Sequence, residues 1–181
     1  PDNLIIFGTG KLVGTPTPTA GQMTITSKSP ASNLYFKTNT GGAWARCLRR
    51  AGWDAVVVSG VSDKPVYVVI DDDTIRIQDA SPVWGKTVRE TDEHIKKQLG
   101  GTGWDLAVIG PAGENLVRFA CVMTSLYHAA GRGGLGAVMG SKRLKAIVVG
   151  GSQRPVLARP DEVQALRAKY LPLFKQEGTQ L

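Results

Sequence analysis

The sequence contains few cysteines and no long apolar run. Its 181 residues include two cysteines, Cys47 and Cys121, which stand far apart and outside any C-x-x-C pair. Zinc and iron–sulfur sites need several such ligands at close spacing, so the residues of this chain predict neither. No apolar run approaches the roughly 20 residues that a membrane-spanning helix needs. Two reduced thiols and the lack of a membrane span predict a cytoplasmic protein.

Carboxylates are missing from two long stretches of the chain. None lies between Asn3 and Trp53 and none between Phe119 and Pro160, although the net charge is +7. The basic residues of these two stretches are Lys11, Lys28, Lys37, Arg46, Arg49, Arg50, Arg132, Lys142, Arg143, Lys145, Arg154 and Arg159. If the stretches fold against each other, they form one electropositive site for an anionic ligand; a solvated basic surface is the alternative.

The hydrophobic patterns predict an α+β fold with mainly antiparallel sheets. Strand-length apolar runs occur at 4–7, 23–27, 34–38, 55–60, 66–70, 74–78, 106–110, 118–123 and 146–151. Helices are predicted over 41–52, over 87–101 and from Pro160, the second with a capping box of Thr87 and Glu90. Because the strands come in runs and do not alternate strictly with helices, antiparallel pairing is favoured. A doubly wound parallel sheet is the alternative.

The polar segment GSQRPVLA indicates a domain boundary before the last helix. We predict one domain over residues 1–157 and the start of a second, helical domain over 158–181. The chain begins at Pro1 and its last residues, LFKQEGTQL, contain no helix cap. These features predict a segment of a longer protein.

The glycine-rich segment from His128 to Lys142 resembles two phosphate-binding motifs without matching either. Gly131, Gly133 and Gly136 fit G-x-G-x-x-G, but no strand runs directly into the first glycine and no carboxylate follows about 20 residues later. The sequence GAVMGSK has Gly-Ser-Lys in place of Gly-Lys-Ser, with a spacer one residue short. Neither a nicotinamide or flavin site nor ATP hydrolysis is therefore predicted.

What the two motifs share still favours an anion. Glycines let backbone N–H groups approach a phosphate closely, Arg132 supplies a planar set of donors, and a helix is expected to begin near Gly134. A second glycine segment, TNTGGAW at 38–44, is predicted to be its counterpart. Tight packing between a helix and a sheet is the alternative explanation for these glycines.

Four segments together resemble the N-terminal domain of the aldehyde:ferredoxin oxidoreductase family. They are AAGRGGLGAVMGSKRLKAI, IGPAGENLVRFA, RRAGWDAVVVSGVSDKPVYV and DASPVWGKTVRET. Members of that family carry tungsten, or in some branches molybdenum, on two pterin dithiolenes. The resemblance implies two mainly antiparallel six-stranded sheets related by an internal pseudo-twofold. It also implies that the first strands of the domain are missing from this chain.

The resemblance implies a cofactor site built from the two glycine segments. The residues implied to contact pterin or phosphate are Gln22, Asn39, Gly41, Gly42, His128, Ala129, Gly131 and Arg132. The main-chain carbonyls of Asn39 and Ala129 are implied ligands of a magnesium ion that links the two pterin phosphates. Relatives often have a basic residue at the positions of Gln22 and His128, which indicates a divergent branch and weakens the prediction of a simple aldehyde substrate.

The implied function is that of the cofactor-binding part of a tungstopterin or molybdopterin oxidoreductase that converts small aldehydes to carboxylic acids. In the family, a [4Fe–4S] cluster held by downstream residues passes electrons to ferredoxin, and the proposed acid/base residues also lie downstream. No catalytic residue is therefore predicted here, and the run of Asp71, Asp72 and Asp73 is assigned to a hairpin turn. Isolated from the rest of the protein, the domain is expected to bind pterin weakly.

Several readings remain open at this point. Within the family, the alternative is a tungsten-containing reductase subunit of the benzoyl-coenzyme A reductase type; a relative without metal is another. Ferredoxin or another redox subunit and a homodimer of the full-length protein are expected as partners. Nucleic acid is not expected, because the basic residues lack interleaved aromatic residues.

Overall fold

Two β-sheets and the helices around them form the framework of the molecule. The computed structural model describes the backbone of residues 2–177 and the side chains as far as Leu173. Within that range, ten strands divide into a four-stranded and a six-stranded sheet. Both sheets bury apolar residues in one main core.

The four-stranded sheet comes from the first third of the chain. Its strands are β1 (Ile5–Thr9), β2 (Met23–Lys28), β3 (Tyr35–Thr40) and β4 (Ala55–Val58). The order is β3-β2-β1-β4 and all neighbours are antiparallel. Alternation of apolar and polar residues gives this sheet one buried face, because successive side chains of a strand point to opposite sides. Ile5, Phe7, Met23 and Ile25 lie on that face.

The six-stranded sheet contains the remaining strands. They are β5 (Val66–Asp71), β6 (Thr74–Asp79), β7 (Asp105–Val108), β8 (Val122–Thr124), β9 (His128–Ala130) and β10 (Leu144–Gly150). The order is β6-β5-β10-β7-β8-β9. The last strand in the sequence, β10, therefore lies in the middle of the sheet, parallel to β5 and antiparallel to β7. All seven residues of β10 are buried.

Five α-helices complete the described chain. They are α1 (Trp44–Arg50), α2 (Val88–Gln98), α3 (Pro111–Glu114), α4 (Leu135–Ser141) and α5 (Pro160–Glu177), and a 3₁₀ turn covers Ser81–Val83. The predicted capping box of α2 is confirmed: Thr87 accepts from the Glu90 N–H, and the Glu90 carboxylate accepts from the Thr87 N–H.

Helix α1 connects the two sheets through a buried tryptophan. The helix packs against β1 on one side and against β10 and β7 on the other. The Trp44 ring lies 5.7 Å from the Phe7 ring, centroid to centroid, and its indole N–H donates to the carbonyl of Ile147 on β10 at 2.9 Å. The hydrogen bond satisfies the one polar group of this buried side chain. The position of α1, and of the loop before it, is thereby fixed relative to both sheets.

The predicted α+β class is confirmed, with differences in detail. One sheet has four strands, not six, and β5 with β10 is the only parallel pair among the described strands, so the doubly wound alternative does not hold. Asp72 and Asp73 form the hairpin turn between β5 and β6, as predicted. The predicted strand at 118–123 is confined to Val122–Thr124, while β9 and α3 were not predicted.

The C-terminal helix begins at Pro160, as expected. Residues 178–181 of the predicted second domain lie outside the described residues, and the domain division itself stays a prediction. In the part of the chain that the structure describes, no helix is both long and apolar enough to cross a lipid bilayer.

Candidate functional site

The predicted site residues lie where the edges of the two sheets meet. Strand β3 is the outer strand of one sheet, β9 is the outer strand of the other, and the two strands are in contact. Asn39 lies on β3, and His128 and Ala129 lie on β9. We call this contact, with the glycine loops 41–43 and 131–134 that follow the two strands, the seam. The two acid-free stretches thus meet in space.

Two threonines hold the seam together. The hydroxyl oxygens of Thr40 and Thr124 lie 3.3 Å apart, and both side chains are buried. The Thr124 hydroxyl also lies 3.0 Å from the carbonyl oxygen of Gly41, to which it can donate. A buried hydroxyl that bridges two strands fixes their separation, because losing its partner would leave a polar group unsatisfied.

Ser125 connects the first glycine loop to the centre of the six-stranded sheet. Its hydroxyl accepts from the Ala43 N–H at 2.8 Å and donates to the Asp105 carboxylate at the start of β7. Ser125 and Leu126 both have positive φ, 47° and 65°, in the turn between β8 and β9. The chain Asp105–Ser125–Ala43 therefore sets where loop 41–43 lies.

The first glycine loop lies close to the turn between β8 and β9, which requires glycine at Gly42 and leaves little space beside Gly41. A Cβ on Gly41 would lie 3.2 Å from the Nδ1 atom of His128, and a Cβ on Gly42 would lie 2.5 Å from the Ser125 hydroxyl oxygen. Gly42 also has a φ of +94°, which side chains rarely adopt. For these two glycines the packing explanation applies. It also places the His128 imidazole against the first glycine loop.

The second glycine loop has one open position. A Cβ on Gly131 would meet nothing within 4 Å, so the backbone there is accessible to a ligand. Arg132 follows with an exposed side chain and a φ of 72°. Gly133 and Gly134 are instead closely packed, the first against the Phe36 ring and the second against the carbonyl of Arg118. Helix α4 begins directly after them, as predicted.

Gln22 and Asn39 are exposed at the same end of the four-stranded sheet. Gln22 precedes Met23, which pairs with Thr40, so Gln22 lies level with the start of the first glycine loop. The Asn39 side-chain oxygen accepts from the Thr24 hydroxyl at 2.9 Å. The structure thus gathers the predicted residues around the seam. Their role as cofactor ligands stays a prediction.

The groups exposed at the seam suit a phosphate-bearing cofactor. Gly131 leaves backbone approachable, Arg132 offers guanidinium donors, and His128 offers a ring nitrogen. Main-chain N–H groups beside glycine and a guanidinium are common partners of phosphate oxygens. Within residues 2–177, no three His, Cys, Asp or Glu side chains are close enough to share a metal ion.

Many of the other basic residues serve structural contacts. Lys145 is fully buried and forms an ion pair with Glu114. Arg49 pairs with Asp54, Lys142 donates to the Gly60 carbonyl, and Arg143 donates to the Asp63 carbonyl. The region of exposed positive charge is therefore smaller than the number of basic residues in the two acid-free stretches suggests. Arg132 at the seam and Arg46 on α1 keep exposed guanidinium groups.

Sequence analysis did not identify Thr124, Ser125 or Asp105 as part of the site. A threonine at a strand end and a serine in a turn are ordinary in both places, and their pairing with residues more than 80 positions away leaves no local pattern. Asp105 directly precedes a predicted strand, so the sequence indicated only that it marks the start of that strand.

Asp105 gives the domain a testable pH dependence. Burial raises the pKa of this carboxyl, and hydrogen bonds from Ser125 and the Leu106 backbone only partly oppose the shift. The folded state therefore binds the proton more tightly than the unfolded state, and Asp105 reduces stability as pH rises through its folded pKa. We expect Asp105→Asn to gain stability relative to the natural protein between about pH 4 and about pH 7.

The measurement is the thermal midpoint of both proteins across that range. Asp73→Asn, in the exposed hairpin turn, is the matched control and should show no such growing difference. A difference in thermal midpoint between Asp105→Asn and the natural protein that stays constant or shrinks with rising pH would contradict the raised pKa of Asp105.

Fold and seam together define an α+β scaffold with paired glycine loops at the junction of two sheets. Residues 1–151 match the sequence profile described as "Aldehyde ferredoxin oxidoreductase, N-terminal domain". The chain belongs to this family, whose members are oxidoreductases.

Two kinds of relatives agree with the profile. A tungsten-containing aldehyde ferredoxin oxidoreductase of Pyrococcus horikoshii is 51% identical over 176 residues, which cover 97% of this chain and 29% of the relative. An aliphatic sulfonate oxidoreductase WOR-like subunit of Pyrococcus furiosus is 43% identical over 164 residues, covering 83% of this chain and 26% of that protein.

A solved structure has the same fold. The active site complex BamBC of benzoyl coenzyme A reductase, in complex with 1,5-dienoyl-CoA, includes a chain that superposes with a TM-score of 0.93 at 40% identity. The match covers 96% of this chain and 26% of that one. The chain thus spans less than a third of the length of these relatives.

Proposed function

We propose that this chain is the cofactor-binding part of a tungsten-pterin, or molybdenum-pterin, oxidoreductase that converts aldehydes to carboxylic acids with ferredoxin as electron acceptor. The observation that carries the proposal is the seam, where β3 and β9 bring two glycine loops from distant parts of the chain together. A cofactor with two phosphates needs two such loops on one surface. The tungsten in the names of the most similar relatives supports the choice of metal.

Each seam residue has a role in this proposal. The Gly131 backbone, the Arg132 guanidinium and the His128 ring bind phosphate oxygens, and Gln22 hydrogen-bonds a pterin edge. The main-chain carbonyls of Asn39 and Ala129 would hold a magnesium ion. Magnesium prefers oxygen ligands, and main-chain carbonyls supply them.

The reaction adds one oxygen atom from water to the aldehyde and releases two electrons and two protons. The bound metal pterin would supply the two-electron redox chemistry, and the protein contributes binding, orientation and electrostatics. A [4Fe–4S] cluster held by residues outside this chain would supply one-electron transfer to ferredoxin or another redox subunit. We further propose a cytoplasmic location and a homodimer of the full-length protein.

A second candidate is a reductase subunit that works in the opposite direction on an aromatic coenzyme A thioester. The benzoyl coenzyme A reductase chain, at 40% identity and a TM-score of 0.93, favours it. The neutral Gln22 and the His128 at the seam also fit a branch with a different substrate. A scaffold relative without metal is the third reading.

Elemental analysis of the natively purified full-length protein tests the proposal. From cells supplied with both metals, we expect about one tungsten or molybdenum per chain and roughly four irons. Arg132→Gln should lower the tungsten or molybdenum content with an unchanged thermal midpoint, because its side chain is exposed. Arg154→Gln, in the polar linker, is the control with the same loss of charge.

Activity assays then separate the candidates. Reduction of a viologen dye by aldehydes would support the first candidate, and reductant-dependent turnover of benzoyl coenzyme A would support the second. Iron without tungsten or molybdenum would contradict both and leave the metal-free scaffold.

A further inference from the structure

A polar cavity beside the seam lies between α1, α2 and the start of β7. Its volume is about 340 Å³, and none of the eight predicted cofactor residues lines it. Arg46 and Arg50 of α1 and Lys96 of α2 contribute its cations. The Asp105–Ser125–Ala43 chain forms its wall on the side of the seam. We call this the α1 cavity.

The two arginines of the α1 cavity have donors to spare. They are four residues apart on α1, so both side chains lie on the same face of the helix. Arg46 is exposed, and its guanidinium has no hydrogen-bond or ion-pair partner among the side chains described as far as Leu173. Arg50 uses its Nε–H, which donates to the Gln153 carbonyl at 3.4 Å, and its terminal N–H groups have no partner within the same described part of the chain.

The cations act together on the interior of the cavity, as Cys47 shows. Burial raises the pKa of the Cys47 thiol and the Asp105 carboxylate raises it further, whereas Arg46, Arg50 and Lys96 all act in the opposite direction. One thiol thus feels all three positive charges. The three cations therefore all lie near the Cys47 thiol, which lines the same cavity.

The carboxylates near the cavity do not neutralise the two arginines. Asp92 is buried and forms an ion pair with Lys96 at 2.9 Å, so the positive charge of Lys96 is already paired. Asp105 is buried and accepts the hydrogen bond from Ser125. Arg46 is therefore the cation of the cavity without a carboxylate partner among the described residues, whereas Arg50 also attracts the Asp72 carboxylate and adds to the hydrogen bonds that lower its pKa.

Two apolar side chains, Trp104 and Leu126, also line the cavity. The Trp104 ring is held in place, because its N–H donates to the Leu99 carbonyl at 3.1 Å and Gly150 packs against its six-membered ring. A fixed aromatic ring and a pair of arginines in the same cavity provide groups for the organic and the ionic part of one ligand.

We infer that the α1 cavity binds a phosphate group, either free or carried by a small organic molecule. Arg46 and Arg50 bind its oxygens, since two guanidinium groups match the geometry of phosphate. Trp104 and Leu126 contact the organic part when there is one. This site adjoins the seam through Ala43, but none of the residues predicted to bind the cofactor lines it.

The test is calorimetric titration of the full-length protein with adenosine monophosphate, inorganic phosphate and adenosine at low salt. We expect adenosine monophosphate to bind, and Arg46→Gln/Arg50→Gln to weaken it at least about tenfold. The single variant Arg46→Gln should weaken the binding of adenosine monophosphate at least about threefold. Because Arg46 is exposed and unpartnered, this variant is expected to fold normally, and it therefore serves as a check on misfolding of the double variant. The control variant Arg159→Gln/Arg167→Gln removes the same charge from α5 and from the residue before it. Its affinity for adenosine monophosphate should lie within about twofold of that of the natural protein.

The ligands distinguish the sources of phosphate. Tighter binding of adenosine monophosphate than of phosphate, with the difference abolished in Trp104→Leu, assigns the site to an organic phosphate. Equal binding of both assigns it to free phosphate. Tungsten or molybdenum content of the double arginine variant is measured as well, because a loss of metal would assign Arg46 to the cofactor site at the seam and overturn the proposal.

Three binding results would also overturn the proposal. The first is that neither adenosine monophosphate nor inorganic phosphate binds to the natural protein. The second is that adenosine binds as tightly as adenosine monophosphate. The third is that the α5 control variant loses as much affinity as the double arginine variant. If the double arginine variant lost affinity for an acidic ferredoxin, and phosphate did not bind to the natural protein, the cavity would instead be part of a protein-docking surface.

Discussion

Gly134→Ala should prevent the domain from folding stably, whereas Gly131→Ala, three residues earlier, should leave stability almost unchanged. Gly134 has a φ of +68°, and an added Cβ would overlap the carbonyl oxygen of Arg118. Backbone atoms cannot move aside as the end of a flexible side chain can. Strain of this kind costs at least about 3 kcal/mol, a large part of the stability of an ordinary domain.

Gly131 provides the comparison because an added Cβ there would meet nothing within 4 Å. The measurements are soluble yield, thermal midpoint and tungsten or molybdenum content of the full-length variants. Gly131→Ala should keep the natural midpoint and lose metal, because the methyl group occupies the space in which a phosphate approaches the backbone. Equal midpoints for the two variants would show that the loop relaxes at Gly134. Natural metal content in Gly131→Ala would contradict the open position as a cofactor contact.

Lys145→Met should be the second strongly destabilising change. Lys145 on β10 is fully buried, forms an ion pair with Glu114 and donates to the Lys86 carbonyl at 2.9 Å. Glu114 is itself buried and accepts from the Gly85 N–H at 2.7 Å. Removal of one partner leaves the other charge buried and unpaired, at a cost of about 3–5 kcal/mol.

The double variant Lys145→Met/Glu114→Met separates the ion pair from packing. Because it removes both charges, it should recover at least about half of the loss in the free energy of unfolding, measured by chemical denaturation. Lys97→Met on the exposed face of α2 is the control and should change stability by no more than about 0.5 kcal/mol. A double variant no more stable than Lys145→Met would mean that the loss comes from packing and from the Lys86 contact.

Local sequence patterns were sufficient where a structure depends on neighbours in the chain. The capping box of Thr87 and Glu90 fixes the start of α2, and apolar alternation predicts the strands of the first sheet. The glycine loops were located for the same reason, since their composition is distinctive. Their meeting at the seam was an inference from charge and from the family resemblance, because nothing local specifies it.

The missed features depend on distant partners. Strand β9 is three residues long, and it forms because the turn at Ser125 and Leu126 returns the chain along β8. Ser125 itself acquires its role from Asp105 and Ala43, which come from two other parts of the chain. The smaller sheet has four strands where the resemblance implied six, and the same resemblance implied that the first strands of the domain are missing from this chain.

The central position of β10 has a consequence for synthesis of the protein on the ribosome. Strands β5 and β6 touch β7, β8 and β9 of the same sheet only through β10, the last of the ten described strands in chain order. Until residue 150 has left the ribosomal exit tunnel, the two parts of the sheet remain unjoined. We therefore expect the six-stranded sheet, and with it the proposed cofactor site at its edge, to be completed only after β10 has been translated.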